Sequence, residues 1–256
     1  VSTALIEIED LALSFAGVRA LDGVTFSIDE GELFAVIGPN GAGKSTLFNC
    51  ISGIYRPGSG SIRFAGRELL GTAPHRIAKA GIARTFQNVD VFPAMTVREC
   101  LLLARHQHLR SGALAGMVRW GRSAREERAA LRQVTEVADR LGLADLLPHQ
   151  VGPLPHGVQK RVELARSLCM EPRLLLLDEP VAGMNHEETA EMAATLSEVN
   201  SDLGITMLLV EHDMSMVMGI SDRVCVLDFG RRIALDTPAN VVRDEAVIDA
   251  YLGGAL

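Results

Sequence analysis

The chain has 256 residues, of which 48% are hydrophobic and 22% charged, the balance of an ordinary globular protein with length for a real core. A net charge of −7 argues against broad attraction to nucleic acid. Cys50, Cys100, Cys169 and Cys225 form no CxxC pair, so they read as small core residues in a reducing compartment, not as a disulfide or zinc framework. No apolar run reaches the roughly eighteen residues of a membrane span, and no signal-peptide pattern opens the chain. The expected place is cytosolic, with any membrane contact made through the surface or a partner.

Short alternating segments come first. "LIEIEDLALSF" and "VTFSI", separated by Gly and Asp, predict an antiparallel patch. "LFAVI" (33–37) is a continuous apolar strand that runs into a Gly-rich turn and then a helix, "KSTLFNCIS", stopped at Gly53. "SIRFAG" predicts another short strand, and from about Gln87 to Leu154 the pattern is helical. Three further buried strands follow: "LLLL" (174–177), "TMLLV" (206–210) and "VCVL" (224–227), with helical stretches between them. All-apolar strands alternating with helices predict an α/β fold, with a parallel sheet covered on both faces. The helical stretch in the middle reads as an inserted subdomain.

"GPNGAGKS" (38–45) fits G-x-x-x-x-G-K-[ST] and sits between strand and helix, the context that motif requires. Backbone N–H groups of Gly41, Gly43 and Lys44 would line a concave nest for phosphates. Lys44 would reach the β- and γ-phosphates, and the Ser45 hydroxyl would ligate Mg²⁺. Gly38, Asn40, Ala42 and Thr46 complete the expected nucleotide-binding loop. This is a nucleoside triphosphate site.

"LLLLDEP" (174–180) supplies the second half of the chemistry. Asp178 emerges at the carboxyl end of a buried strand, where α/β sheets bind ligands. Neighbouring strand residues face opposite ways, so Asp178 and Glu179 should divide the work. Asp178 is the expected Mg²⁺ partner, through water, and Glu179 the base that orients attack on the γ-phosphate. Pro180 keeps Glu179 out of helical geometry.

The amphipathic helix in "LPHGVQKRVELARSL" (154–168) carries Val158, Val162, Ala165 and Cys169 on one stripe, yet its lead-in offers no Ser, Thr, Asp or Asn as a cap. An uncapped helix start is a natural anion site. The order of motifs explains it. The phosphate loop is followed by "TFQN" with Gln87, this helix, "LLLLDEP", "VAGMN" and "LLVEHD" with His212. Over nearly its whole length the chain resembles the ATP-binding subunit of ABC transporters, with a RecA-like P-loop core. In that family the signature helix faces ATP held by the other subunit of a head-to-tail pair. "ARTFQNVDVFPAMTV", "VAGMNHEET", "EHDMSMVMGISDRVCVL" and "VIDAYLGGAL" further resemble branched-chain amino acid importers, in the subunit that works beside a second, different ATPase. Related importers of urea, amides or aromatic acids share these features.

The resemblance implies a single ATPase domain. Its ATP-binding core would take residues 1–87 and 160–235, a helical subdomain 88–159, and a C-terminal tail 236–256. Gln87 would contact Mg²⁺ or the attacking water, and His212 the γ-phosphate beside Glu179. Asn185 and its loop would cross the dimer interface, and Phe15 would stack on adenine. The implied partners are a second ATPase subunit, two transmembrane permease subunits and, indirectly, a substrate-binding protein, with the chain peripheral on the cytoplasmic side of the membrane. Coupling would pass through the groove around Gln87–Thr96. The sequence departs from the family at the signature, where Leu-Ser-Gly-Gly-Gln becomes Leu154-Pro155-His156-Gly157-Val158. Pro155 has neither hydroxyl nor N–H. A lost hydrogen bond to a charged phosphate costs roughly 1.5–3 kcal/mol, so ATP in the partner's loop should be held less well than ATP at Lys44. A protonated His156 would offset part of this, and Gly157 still offers its N–H.

The basic stretch 105–132 reads as a solvated loop and helix, although Arg119, Trp120 and Arg122 would suit lipid headgroups or a transmembrane subunit. "LDFG" (227–230) is a turn, and "HEET" (186–189) lacks the second His of a zinc motif. A DNA-repair or translation ATPase would need a long coiled coil or tandem modules, and a small-molecule kinase would leave the signature helix and His212 unexplained.

Overall fold

A computed structural model of the protein describes residues 4–85, 93–105 and 122–252. Strands β1 (Ala4–Phe15) and β2 (Val18–Asp29) form the predicted antiparallel patch, joined by a tight turn in which Ala16 and Gly17 both have positive φ. With β4 (Ser59–Phe64) and β5 (Arg67–Glu68) they make a four-stranded sheet, ordered β2-β1-β4-β5.

The second sheet has six strands in the order β10-β9-β3-β8-β7-β6. Its parallel centre is β3 (Leu33–Ile37), β8 (Thr206–Val210), β7 (Leu174–Asp178) and β9 (Arg223–Asp228). Two edge strands escape the sequence pattern. β6 (Ile82–Arg84) is very short and pairs parallel to β7, while β10 (Arg231–Asp236) runs antiparallel to β9. The sheet is therefore mixed, with a parallel core. Its antiparallel edge follows from Phe229 and Gly230, both at positive φ, which turn "LDFG" into a hairpin.

Why the central strands are apolar throughout is plain from the packing. Ala35, Ile37, Leu175, Leu177, Met207 and Leu209 belong to one core cluster, and Phe34, Val36, Leu174, Leu176, Leu208 and Val210 to the other. Alternate residues thus enter opposite layers, and neither face is left for a polar side chain. One layer holds α1 (Lys44–Ile51) and the four-stranded sheet; the other holds the helices α3 (Val97–Arg105), α4 (Arg122–Arg140), α5 (His156–Leu168) and α6 (His186–Leu203). The chain also contains α2 (Pro74–Lys79), α7 (Met214–Ile220), α8 (Pro238–Val241) and α9 (Glu245–Leu252). The expected junction at 159/160 falls inside α5, a continuous helix. Among the described residues no helix is long and apolar enough to cross a membrane.

Candidate functional site

Three adjacent parallel strands, β3, β8 and β7, deliver their carboxyl ends to one edge of the sheet. The phosphate loop leaves β3, Glu211 and His212 leave β8, and Asp178 and Glu179 stand at the tip of β7. Residues distant in sequence meet there because parallel order, not chain order, sets their spacing.

A cleft of about 200 Å³ is lined by Asn40 to Thr46 together with Ala20, Glu179 and His212. Gly41 and Gly43 adopt φ of 82° and 105°, left-handed conformations that suit glycine and that occur in anion-binding backbone nests. Lys44 is buried at the first turn of α1, and its Nζ donates to the carbonyls of Gly38 at 2.6 Å and Pro39 at 3.0 Å. Burial pulls its pKa below the usual lysine value, and the Glu179 carboxylate partly opposes that pull. Gly38 does not line the cleft. A Cβ there would fall 2.0 Å from the Leu227 carbonyl, so its glycine is required by a close approach to the end of β9.

Asp178 shares the face of Leu174 and Leu176, towards α1, and is 4% exposed. Its Oδ2 accepts a hydrogen bond from Arg84 Nη2 at 2.7 Å. Arg84 Nη1 donates to Asn49 Oδ1 on α1 at 2.7 Å and to Ser52 Oγ, the residue that caps its end, at 3.3 Å, and the guanidinium lies over the Phe48 ring. Sequence reasoning missed Arg84, because the three-residue strand β6 that carries it has no periodicity to mark it. Glu179 breaks the strand with φ of +50°, a left-handed conformation that costs a non-glycine residue on the order of 1 kcal/mol. Glu179 Oε1 and His212 Nε2 lie 3.0 Å apart, within the same cleft. The two side chains expected to act together do meet.

The family now follows from comparison. The ABC transporter family matches residues 21–182, and the branched-chain amino acid ATP-binding cassette transporter family matches residues 231–256. The high-affinity branched-chain amino acid transport ATP-binding protein BraF of Pseudomonas aeruginosa is 41% identical, over 99% of this chain and 100% of that protein. LivG of Escherichia coli, of the same description, is 40% identical over the same shares. A crystal structure of an ATP-binding cassette of an ABC transporter in its ADP conformation superposes with a TM-score of 0.86 at 30% identity, covering 98% of this chain and 100% of that one. The chain belongs to the ATP-binding subunits of ABC transporters. It is a nucleotide-binding ATPase.

Within this ABC ATPase, the signature end of α5 differs from its sequence expectation in detail. Pro155 caps the helix with no side-chain hydrogen bond, as its lack of a polar cap predicts. His156 is not idle: its Nε2 lies 3.1 Å from the Ala182 carbonyl, which only an N–H can satisfy. With the Nε2 proton on that carbonyl, a neutral ring presents Nδ1 as an acceptor. Val158 is partly buried and packs against the core. Gly157 is buried against α6, where a Cβ would come 2.8 Å from Glu188 Oε1.

Asn185 caps α6, its side chain accepting from Glu187 and Glu188 N–H while Glu188 Oε2 accepts the Asn185 N–H at 3.0 Å. Its structural work is therefore complete within the chain. Phe15 is 44% exposed at the end of β1, not a core residue, and packs edge-on against Tyr55 with centroids 5.2 Å apart. It lies outside the phosphate cleft, and Tyr55 is a second aromatic that sequence reasoning passed over. Gln87, Arg119 and Trp120 lie outside the described residues, as does the side chain of Arg122.

Proposed function

We propose that this chain powers import of branched-chain, hydrophobic amino acids through separate transmembrane subunits, as a peripheral subunit on the cytoplasmic side of the membrane. The Glu179–His212 contact inside the phosphate-loop cleft carries the hydrolytic part of this reading. The match of residues 231–256, and relatives 40–41% identical over 99% of the chain, support the solute class.

ATP would lie with its phosphates in the Asn40–Thr46 nest. Lys44 would leave the Gly38 and Pro39 carbonyls for the β- and γ-phosphates, and Glu179 would take the proton of the attacking water. His212 would hold that carboxylate and touch the γ-phosphate. The donor set suits Mg²⁺, a hard cation that keeps several waters and needs only one or two protein oxygens beside the phosphates. Ser45 supplies a hydroxyl and Asp178 a carboxylate, and the described residues hold no cluster of three or more His, Cys, Asp or Glu able to cage a metal. Bound there, Mg²⁺ would neutralise charge on the phosphates. Gln87 would reach the same ion or water, and Phe15 would stack on adenine.

The signature residues Pro155 to Val158, with the Asn185 loop, would close over ATP of a second ATPase subunit in a head-to-tail pair. A transmembrane subunit would couple through the groove around Gln87–Thr96, of which only residues 93–96 are among the described ones. The test is uptake by vesicles carrying the full transporter. Glu179→Gln should retain ATP and lower turnover at least about 100-fold, and wild-type vesicles should accumulate leucine. Turnover within twofold of wild type would overturn the hydrolytic reading; accumulation of urea, amides or aromatic acids in place of leucine would overturn the solute.

A further inference from the structure

Glu211 is the first residue beyond β8 and is 4% exposed. Burying a carboxylate is unfavourable unless hydrogen bonds replace its lost water. Here they come from backbone donors on two loops. Oε1 accepts the Val181 N–H at 3.0 Å, while Oε2 accepts the N–H of His212 at 2.8 Å and of Asp213 at 3.4 Å.

The placement of those donors is the informative part. Val181 lies two residues past Glu179, and Pro180 between them has no N–H to give. Glu179 itself holds a left-handed backbone, its N–H donating to the Val210 carbonyl at 2.9 Å. A strained residue keeps its conformation only where its neighbours over-determine it. The end of β8 does this from both sides, through Val210 and Glu211. With its other oxygen Glu211 holds the backbone of His212, whose ring meets the Glu179 carboxylate at 3.0 Å. One buried carboxylate thus grips the chain at both ends of a side-chain contact that lies in the cleft. The same segment reaches the signature end of α5, because the Ala182 carbonyl accepts from His156.

We propose that Glu211 is a positioning residue for ATP hydrolysis, setting the spacing of Glu179 and His212 without itself lining the nucleotide cleft. The inference rests on the reading of that pair as the hydrolytic one.

The test uses the full chain assembled with its partner subunits, following turnover against ATP concentration. Glu211→Gln replaces one acceptor by an NH₂ group that cannot accept. It should lower kcat about tenfold while KM for ATP stays within about twofold, since the phosphate loop is untouched. Glu211→Asp, which keeps the charge but reaches less far, should fall between. Combined with His212→Ala, Glu211→Gln should add no more than about twofold to the loss from His212→Ala alone, because both act through one contact. A kcat within twofold of wild type, a parallel rise in KM, or fully additive losses would each overturn the proposal. Hydrogen exchange on the unaltered protein gives a check independent of how the variants fold. The Val181 and His212 amides should be protected, and exchange at the rate of open loop amides would refute the clamp. Should Glu179→Gln leave turnover intact, the hydrolytic reading fails; should it abolish turnover while Glu211→Gln does not lower kcat, only the role of Glu211 fails.

Discussion

Asp178 sits at the end of four buried leucines, where an isolated carboxylate would be unfavourable. Arg84 resolves this with an ion pair at 2.7 Å between side chains only 13% and 5% exposed. Removing one member of a buried pair leaves the other charge uncompensated, at about 3–5 kcal/mol. Arg84→Met should therefore destabilise the protein by roughly that amount in urea unfolding, and Arg84→Lys by less, since lysine restores charge but not the fork to Asn49 and Ser52. Equal stability of Arg84→Met and wild type would show that the pair is energetically silent. The carboxylate itself was legible, because an acid after an apolar run stands out. Its counter-ion was not, because 94 residues separate the two and only the pairing of β6 with β7 brings them together. Glu211 was closer to legible: it is the first polar residue after "TMLLV", the pattern that exposed Asp178, but His212 beside it drew the chemistry.

Helix starts divide the described elements into those closed by a side chain of the same chain and those that are not. Asn185 and Glu188 close α6 with a capping box. Thr96 and Glu99 do the same for α3, Glu99 Oε2 accepting the Thr96 N–H at 2.8 Å and its hydroxyl at 2.9 Å. The backbone hydrogen bond first, and then the side-chain one, hold the Glu99 carboxyl below the ordinary glutamate value of 4.5. A depressed folded-state pKa means stability that is complete above the unfolded value and lost as pH falls through the folded one. Wild type should therefore exceed Glu99→Gln in stability at neutral pH, and the gap should close as pH drops below 4.5. A gap unchanged down to pH 3 would show that the carboxylate plays no part in the cap. By contrast α1, α2, α5 and α8 begin with no side-chain cap; α1 follows the phosphate loop, and α5, starting after Pro155, is the helix proposed to face a partner's nucleotide. For α5 the missing cap was readable from residue types, since Leu154 to Gly157 offer no capping side chain, whereas Thr237 at the start of α8 is a capping type that makes no cap hydrogen bond.

Across the whole molecule, two cores on either side of one sheet bury all four cysteines. Desolvation pushes the thiols of Cys169 and Cys225 up to about 12 and that of Cys50 up to about 11, and raises Cys100 as well. The native chain should thus resist thiol alkylation at neutral pH and react only at its rate of unfolding. Rapid labelling in native buffer would contradict the packing. The sequence by itself determined the α/β class, the antiparallel patch, the phosphate loop and the acids at the strand tip, because each is written in contiguous residues as a period of two, a Gly spacing or a polar step after an apolar run. Only the tertiary structure decided that the ends of β3, β8 and β7 lie side by side. From that adjacency come Arg84 on Asp178, Glu211 across two loops, and His156 on Ala182. Edge strands β6 and β10 belong to the same group, since a strand of three residues or one half-exposed has no pattern of its own and forms because a neighbour offers hydrogen bonds.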